Sequence, residues 1–449
     1  MDRIGAFFEH NTRPLTAPES LLSRTPHVLV ALIAALALAA SSPAVAKKRT
    51  QVSRSASAAA LAVAKPVANV ASVPTDPAPV VRQFGHWLDG IETSGDVAGL
   101  AVAVVKDDKV LLERGVGYAD ASTKDPITAH TAFRLASLSK AFATALTAKL
   151  VQEGVMSWDT KVANVLPTFE LADVADSQRL TVRDILSHRV GLPHNTYDRL
   201  LEQDEPYEVL VDRLKDVPMA CPVGDCYGYQ NIAFSLIGDV TYAMTGDFFY
   251  YEVEKQIFHP LGMDNATYGR DALESTQSWA RPHHHAGRGW VPFVPNESYY
   301  HVPPAAGVNA SIRDMEQWLI AQMGGRPDVL PPEILDELHA PLVSTDREMV
   351  STPWRRGRLL NAQYALGWRI YDYAGQTLVF HAGAVQGYRA MIAFLPRYRF
   401  GAVMLWNCES AAPSGLMPML IDRYLGLPEV NWAGIDNNEN EDLAGGGAN

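Results

Sequence analysis

Strand patterns lie near both ends of the chain, and this order restricts the fold more than any other feature. Residues 98–105 and 109–117 are rich in residues typical of strands, and two aspartates join them as in a hairpin turn. Residues 388–395 and 400–406 repeat the pattern with many β-branched and aromatic side chains. Strands so far apart in sequence predict one sheet that joins both chain ends.

Between the strand patterns, apolar residues recur at spacings of three and four, the period of a helix with one buried face. This period covers residues 139–153 and 232–245, with a shorter stretch at 182–186, and residues 81–91, before the first strand pattern, are also predicted to be helical. The sequence therefore predicts an α+β fold, in which helices flank the sheet and a mostly helical domain is inserted.

Composition narrows the possible partners. A formal net charge of -12 over 449 residues leaves no broad basic surface to neutralise a nucleic-acid backbone or an anionic bilayer. We therefore expect no nucleic-acid partner. A chain of this length can form both a large core and a deep cleft for a small molecule.

The N-terminus indicates export. Residues 28–40 form an unbroken apolar run, and Ala44-Val45-Ala46 follows as a cleavage motif, so residues 1–46 are predicted to be a signal peptide. The run would span about 20 Å as a helix, short of a membrane core of about 30 Å, so no stable membrane span is expected after cleavage. The predicted location is periplasmic or secreted. Basic residues at 47–49 leave an uncleaved N-terminal anchor as the alternative.

Composition also divides the rest of the chain. Residues 47–79 are mostly Ala, Val, Ser and Pro without a regular period, which predicts a flexible spacer. Residues 80–430 are expected to form the folded domain. Residues 431–449 include an acidic, glycine-rich stretch and are predicted to be a disordered tail.

Three cysteines are too few for a disulfide framework, but two of them are close in sequence. Cys221 and Cys226 flank four residues and could be bridged, which would require an oxidising compartment. Two unpaired thiols in a loop are the alternative. Cys408 lies in an apolar stretch and is expected to be buried.

Ser137 and Lys140 form an S-x-x-K motif at the start of a predicted helix. Residues three apart share a helix face, so the lysine amine can reach the serine hydroxyl. A serine hydroxyl needs such a neighbour to act as a nucleophile, and a buried lysine loses its proton more easily than a free one. The motif alone is weak, because a serine cap beside a solvated lysine would look the same.

The surrounding residues 131–140 (TAFRLASLSK) make the motif specific, because they closely resemble the class C β-lactamase-like and penicillin-binding-protein-like serine hydrolases. Residues 186–193 (LSHRVGLP) resemble a further family segment, with Arg189 and Val190 departing from it. The resemblance covers about residues 80–427. It implies a β-lactamase/DD-peptidase-like fold with an antiparallel sheet, and an acyl-enzyme mechanism without a cofactor.

Two more motifs follow in the family's order. Tyr229-Gln230-Asn231 matches Y-x-N, which implies that Tyr229 acts on Ser137 as base or proton shuttle and that Asn231 orients Lys140 and binds substrate. A nearby lysine cation is expected to lower the pKa of Tyr229.

His381-Ala382-Gly383 stands where the family has K-T-G or H-x-G. The resemblance implies a substrate contact at His381, a close backbone approach at Gly383 and an oxyanion donor at the Ala384 N–H. Asn195 falls where class C enzymes present an amide to substrate, although a turn-forming asparagine fits as well.

The third motif bears on the substrate. Histidine and alanine replace the lysine and threonine that most β-lactamases use for a substrate carboxylate, and histidine is mostly neutral at pH 7. Carboxylesterase-type hydrolysis of an ester or small amide is therefore favoured. The alternatives are a D-amino-acid peptidase or D-Ala-D-Ala carboxypeptidase, a β-lactamase, and a non-catalytic binding or scaffold protein of the same fold.

Three consecutive histidines, His283-His284-His285, remain outside the motifs. Consecutive side chains point in different directions on a strand or a helix, so they suit one metal ion poorly. We expect a polar loop at the cleft rim and no metal site.

Overall fold

The structure is a computed structural model and describes residues 73–74, 76–287 and 289–435. The predicted signal peptide, most of the spacer and residues 436–449 of the predicted tail lie outside the described residues. No helix within the described ranges is long and apolar enough to cross a membrane.

The strands of the described residues belong to one large antiparallel sheet and two small ones. The large sheet has nine strands in the order β3-β2-β1-β14-β13-β12-β11-β10-β9, so strands from both chain ends meet at β1 and β14. Strands β4, β8 and β5 form a second sheet, and β6 and β7 form a hairpin. The strands are β1 (Gly99–Lys106), β2 (Lys109–Asp120), β3 (Asp125–Pro126), β4 (Ala132–Arg134), β5 (Thr267–Tyr268), β6 (His283–Ala286), β7 (Gly289–Pro292), β8 (Val308–Ser311), β9 (Val343–Ser344), β10 (Leu359–Tyr364), β11 (Arg369–Tyr373), β12 (Gln376–Val385), β13 (Tyr388–Leu395) and β14 (Phe400–Trp406).

The helices flank this sheet and form most of the middle of the chain. They are α1 (Ala78–Ser94), α2 (Ser139–Gln152), α3 (Val162–Val165), α4 (Val174–Arg179), α5 (Val182–Leu186), α6 (Asp198–Leu201), α7 (Tyr207–Asp212), α8 (Ile232–Thr245), α9 (Phe249–Val253), α10 (His259–Leu261), α11 (Arg270–Glu274), α12 (Pro303–Ala306), α13 (Ile312–Gln322), α14 (Pro332–Leu338), α15 (Pro353–Arg358) and α16 (Ala412–Leu425). Short 3₁₀ turns occupy Ala136–Leu138, Arg213–Asp216, Ser298–His301, Asp346–Val350 and Pro396–Tyr398, and Glu254–Phe258 is π-helical. The predicted α+β class is confirmed.

The central sheet is buried on both faces, which explains why its inner strands are apolar throughout. Along β1, the side chains of Ala101 and Ala103 enter one core, and those of Leu100 and Val102 enter the other. Helices α1 and α16 cover the second face, while α13 packs on β1 and β14 from the first. Helix α2 belongs to the first core, so the segment that follows Ser137 is anchored in the largest apolar cluster of the described residues.

The hairpin between β1 and β2 turns where the sequence predicts. Asp107 and Asp108 have φ angles of 48° and 64°. Two consecutive residues in this left-handed region are typical of the tight turns that match the twist of a hairpin, and aspartate tolerates the conformation better than most side chains.

The three histidines lie in a β-hairpin and not in a loop, which corrects the expectation from sequence. They belong to β6, which pairs with β7, and His283 is buried. The Nε2 atom of His283 accepts a hydrogen bond from the Ala121 N–H at 3.0 Å, so this ring supports the structure. No group of three or more histidine, cysteine, aspartate or glutamate side chains among the described residues could hold a metal ion.

The ordered part of the chain extends beyond both predicted domain limits. Helix α1 begins at Ala78, before residue 80. At the other end, Trp432 donates from Nε1 to Asp422 Oδ2 at 2.8 Å, and Ile435 is buried. The prediction that residues 431–435 belong to a disordered tail was therefore wrong, because these two apolar side chains pack beside α16.

Cys221 and Cys226 form a disulfide, and Cys408 is a buried free thiol. The bridge closes the short loop of residues 221–226, which lies just before the Y-x-N segment. At the start of this loop, the Ala220 N–H donates to the Gly191 carbonyl at 2.8 Å. The bridge therefore braces the chain just before Tyr229.

Substitution of Phe142 in α2 tests how much the packing of this helix contributes to the free energy of unfolding. Its ring stacks on Trp318 of α13 with centroids 4.1 Å apart, and both side chains are buried. We predict that Phe142→Ala lowers the free energy of unfolding by about 3–5 kcal/mol, because it leaves a cavity in the main core. Phe248→Ala removes the same ring from a side chain that is 54% exposed and should change stability by less than about 1 kcal/mol. Urea unfolding of both variants measures the difference; equal losses would contradict it.

Candidate active site

Ser137 lies in the 3₁₀ turn that immediately precedes α2. The residue before it, Ala136, has a φ angle of 50°, which costs a non-glycine residue on the order of 1–3 kcal/mol. The surrounding core holds this strained turn in place, because Ala136 and Leu138 are both buried. Backbone strain of this kind is common at functional sites.

The structure brings Lys140 and Tyr229 to the hydroxyl of Ser137. The Tyr229 O–H donates to Ser137 Oγ at 2.8 Å. The Lys140 Nζ atom lies 3.2 Å from the same oxygen. The helix spacing that the sequence predicted accounts for the lysine, and the start of α8 positions the tyrosine.

Lys140 is fully buried, and burial lowers its pKa well below the ordinary value of 10.5, although the charge of Asp198 acts in the opposite direction. Burial therefore favours the neutral amine, which is the form that can act as a base. Its Nζ donates to Asn231 Oδ1 at 2.6 Å and to the Ala305 carbonyl at 3.1 Å. A neutral amine has two N–H bonds and one lone pair, so these acceptors leave the lone pair for the proton of Ser137.

Tyr229 differs from the expectation. Burial raises its pKa above the ordinary value of 10, and this effect outweighs the hydrogen bond to Ser137 and the positive charge of Arg369. The predicted lowering by a lysine cation is absent, because Lys140 itself is held neutral. The phenol therefore stays protonated and can act as a proton donor.

Asn231 connects the lysine to an acid that has no place in the three motifs. Its Nδ2 donates to Asp198 Oδ2 at 2.8 Å, while its Oδ1 accepts from Lys140. Both ends of the amide are thus used, which fixes its orientation. Burial raises the pKa of Asp198 to about 6, against the lowering effects of Asn231 and Lys140.

His381 does not face the cleft, and its predicted contact with substrate was wrong. The ring is buried beneath β12, where its Nε2 lies 3.1 Å from the Tyr364 hydroxyl and its Nδ1 lies 2.9 Å from the Ala382 carbonyl. Burial, with further contributions from Arg369 and Lys140, lowers its pKa well below 6.5. A neutral, enclosed ring cannot hold a substrate carboxylate, so His381 cannot give the pH dependence expected of such a contact.

His381 instead ends a buried hydrogen-bond chain. His188 Nδ1 accepts from the Gln230 N–H at 3.2 Å, so its Nε2 carries the proton and faces the Tyr364 hydroxyl at 3.2 Å. Tyr364 can then donate to His381 Nε2. The chain links Gln230, the residue next to Tyr229, with β12, and so connects two segments that contribute residues to the cleft.

Gly383 and Ala384 lie where β12 meets the nucleophile turn. A Cβ atom at Gly383 would stand 2.2 Å from the Leu135 carbonyl and 3.1 Å from the Ser137 nitrogen, so only glycine permits this approach. Ala384 is exposed and lines the cleft. This places the strand backbone beside the backbone of Ser137, as an oxyanion hole requires.

The cleft in front of Ser137 has a volume of about 360 Å³. Asn195 lines it, and its backbone N–H donates to the Tyr229 carbonyl at 2.8 Å. The other lining residues include His194, Asp198, Asn231, Tyr299, Arg369, Ala382, Gly383, Arg389 and Met391.

The comparisons agree with this geometry. The family model described as Beta-lactamase matches residues 79–423. The chain belongs to the β-lactamase family.

Curated relatives of this β-lactamase-family chain are more distant. It is 27% identical over 357 residues to the unguisins hydrolase ungD of Aspergillus violaceofuscus, covering 74% of this chain and 62% of that protein. It is 25% identical over 350 residues to Protein flp of Staphylococcus aureus strain MW2, covering 75% and 64%. The chain thus spans slightly less than two thirds of the length of these relatives.

Solved structures establish the same fold. A penicillin-binding protein homologue from Pyrococcus abyssi aligns with a TM-score of 0.67 at 22% identity, over 77% of this chain and 78% of that one. EstCE1, a hydrolase with promiscuous acyltransferase activity, gives 0.63 at 18%, over 77% and 98%. A class C β-lactamase from Rhodobacter sphaeroides gives 0.59 at 21%, over 78% and 100%.

Two charged residues of this β-lactamase-family cleft were missed from sequence. Asp198 begins α6, and Arg369 is the first residue of β11. The guanidinium of Arg369 lies 5.8 Å from the centre of the Tyr229 ring and pairs with Glu348 at 2.8 Å. Neither belongs to a motif, and only the fold brings them to the site.

Asp198 makes stability depend on pH. Its native pKa of about 6 exceeds the unfolded value of 3.8, so the native state prefers the protonated acid. This contribution is complete below pH 4 and is lost as pH rises through 6. Asp198→Asn keeps an acceptor for Asn231 and removes the charge, so we predict a variant up to about 3 kcal/mol more stable at pH 8, with no difference below pH 4.

Urea unfolding at pH 4, 6 and 8 measures this effect. Asp204→Asn removes a charge from an exposed turn residue and serves as the matched control, with an expected change within about 0.5 kcal/mol. A pH-independent difference between wild type and Asp198→Asn would contradict the interpretation.

Proposed function

We propose that this protein is a serine hydrolase that cleaves an ester or small amide through an acyl-enzyme on Ser137, with carboxylesterase-type chemistry favoured. One observation carries the proposal. The Ser137 hydroxyl lies within hydrogen-bond reach of a buried neutral lysine and a protonated tyrosine. This pairing supplies a base and an acid to one nucleophile.

In the acylation step, the lone pair of Lys140 takes the Ser137 proton as Oγ attacks the substrate carbonyl. The negative charge that forms on the carbonyl oxygen is held by the backbone N–H groups of Ser137 and Ala384. Collapse of this intermediate breaks the bond to the leaving group, and Tyr229 delivers the proton that an alkoxide or amine needs to depart.

Deacylation uses the same groups in reverse. After acylation Lys140 holds an extra proton and Tyr229 lacks one, so transfer from Lys140 to Tyr229 restores both groups. A water molecule then attacks the acyl carbonyl while Lys140 takes its proton, Tyr229 protonates Ser137 Oγ as it leaves, and Lys140 passes its proton back to Tyr229. No cofactor is needed.

The cleft supports an ester or small amide over a β-lactam. Ala382 has no hydroxyl, and His381 is enclosed, so β12 offers substrate no side-chain donor for a carboxylate at these two positions. The names of two similar proteins, a hydrolase with promiscuous acyltransferase activity and an unguisins hydrolase, accord with a hydrolase.

We also propose that the protein works outside the cytoplasm, in the periplasm or as a secreted protein. The Cys221–Cys226 disulfide supports this location, because disulfides persist in oxidising compartments. Mass determination of the mature N-terminus tests it: cleavage after Ala46 is the expected result, and an intact leader would indicate the anchored alternative.

Ser137→Ala tests the nucleophile. We predict that wild type hydrolyses p-nitrophenyl butyrate faster than nitrocefin, and that the variant loses at least about 10³-fold of the ester activity because the acyl-enzyme forms on the Ser137 hydroxyl. Ser275→Ala removes an exposed hydroxyl and should retain full activity. Release of p-nitrophenolate and cleavage of nitrocefin, followed in parallel, measure both substrates.

The remaining outcomes separate the alternatives. Nitrocefin turnover at a comparable rate would favour a β-lactamase. Turnover of D-alanyl peptides alone would favour a D-amino-acid peptidase or D-Ala-D-Ala carboxypeptidase. Failure of every substrate, with no labelling of Ser137 by a fluorophosphonate, would indicate a non-catalytic binding or scaffold protein.

A further inference from the structure

One wall of the cleft carries negative charge that the protein does not neutralise. Asp198 begins α6 and Glu202 directly follows its last residue, and neither forms an ion pair with a lysine, arginine or histidine within the described ranges. Tyr299 also lines the cleft, and its hydroxyl donates to Glu202 at 3.0 Å. This hydrogen bond connects the second carboxylate to a residue that lines the cleft.

Asp198 is the more informative of the two acids. Its residue lines the cleft, yet it is only 8% exposed, and its Oδ1 has no hydrogen-bond partner among the described residues. A buried carboxylate oxygen without a partner costs free energy and is uncommon in native proteins. Such an atom at the wall of a substrate cleft indicates a ligand group that would complete its hydrogen bonding.

The neighbouring lysine does not compensate this acid. Lys140 reaches Asp198 only through Asn231, and its own N–H bonds are used by Asn231 and Ala305. With its N–H bonds directed at these two acceptors, the amine makes no hydrogen bond to Asp198. The free carboxylate oxygen is therefore available to a substrate cation.

The arginines that line the cleft already contact acids. Arg369 pairs with Glu348 at 2.8 Å and shares this acid with Arg355, and Arg389 lies 3.5 Å from Glu409. Asp198, in contrast, has no cationic partner among the described residues. A substrate cation gains more here than a substrate anion does.

We propose that Asp198, with Glu202 beside it, binds an ammonium group of the substrate, so that the preferred substrates are esters or amides whose acyl part carries a positive charge. The inference rests on the proposed function, since it assigns a specificity to the same cleft. Aminoacyl esters and amides and peptides with a free amine are the matching chemical class.

A series of isosteric esters tests this specificity in the full chain. p-Nitrophenyl esters with an ω-trimethylammonio group on acyl chains of one to three methylenes are compared with neutral esters in which a tert-butyl group replaces the cation. At the best chain length, wild type should show a kcat/KM at least about tenfold higher for the cation. Asp198→Asn should reduce this ratio to near one.

The ratio is the readout because Asp198 also contacts Asn231, and a general loss of activity would lower both members of each pair equally. Glu208→Gln removes a charge from an exposed site on α7 and should keep the tenfold preference. Equal rates for cation and isostere at every length in wild type, or a preference that survives Asp198→Asn, would overturn the proposal while leaving Ser137 as nucleophile.

A binding measurement tests the same proposal if no ester is hydrolysed. Calorimetric titration of the full chain with alaninamide, and with N-acetylalaninamide as the neutral control, measures the ammonium contact without turnover. Binding of the amine alone, weakened at least about tenfold by Asp198→Asn, would support the site. Absence of binding, or equal binding of both compounds, would overturn it.

Discussion

The proposed chemistry of this protein depends on one buried amine. Lys140 can stay neutral because the core excludes water around it, and burial of a charged ammonium would cost far more than burial of the neutral form. Its two N–H bonds are given to Asn231 and Ala305, which directs the remaining lone pair to Ser137. The same burial keeps Tyr229 protonated, so one physical cause prepares both a base and an acid around a single hydroxyl.

The fold positions each part of this arrangement. The sheet that joins both chain ends supplies β12, and the inserted helices supply the turn before α2 and the start of α8. Gly383 lets β12 contact the nucleophile turn directly, and the hydrogen bonds among His188, Tyr364 and His381 connect the strand with the segment next to Tyr229. Catalytic groups from three distant parts of the sequence are thus held by rigid elements, which reduces the reorganisation needed during reaction.

The residues that sequence could predict are those whose geometry is local. Ser137 and Lys140 are three residues apart on one helix, and strong strand patterns located β13 and β14 to the residue. His381 was misassigned because the prediction rested on a motif match, and a motif does not show whether a side chain is covered by packing from another strand. Its partner Tyr364 comes from β10, seventeen positions away, and encloses the ring.

Asp198 and Arg369 could not be found by pattern for a similar reason. Each is a single charged residue at the start of an ordinary element, and its importance arises from neighbours far away in sequence, Asn231 for one and Glu348 for the other. The ionisation of Lys140 and Tyr229 likewise follows from burial, which spacing does not reveal. The clearest example is Lys140, which was expected to be a cation and which burial favours in its neutral form.

The identity of the base is tested most directly by the rate at which a fluorophosphonate labels Ser137 as a function of pH, followed by intact mass in wild type, Tyr229→Phe and Lys140→Ala. A neutral Lys140 predicts a labelling rate that rises through one ionisation below pH 10.5, is retained in Tyr229→Phe and is absent from Lys140→Ala. An ionisation that disappears in Tyr229→Phe and persists in Lys140→Ala would make the tyrosine the base and contradict this account.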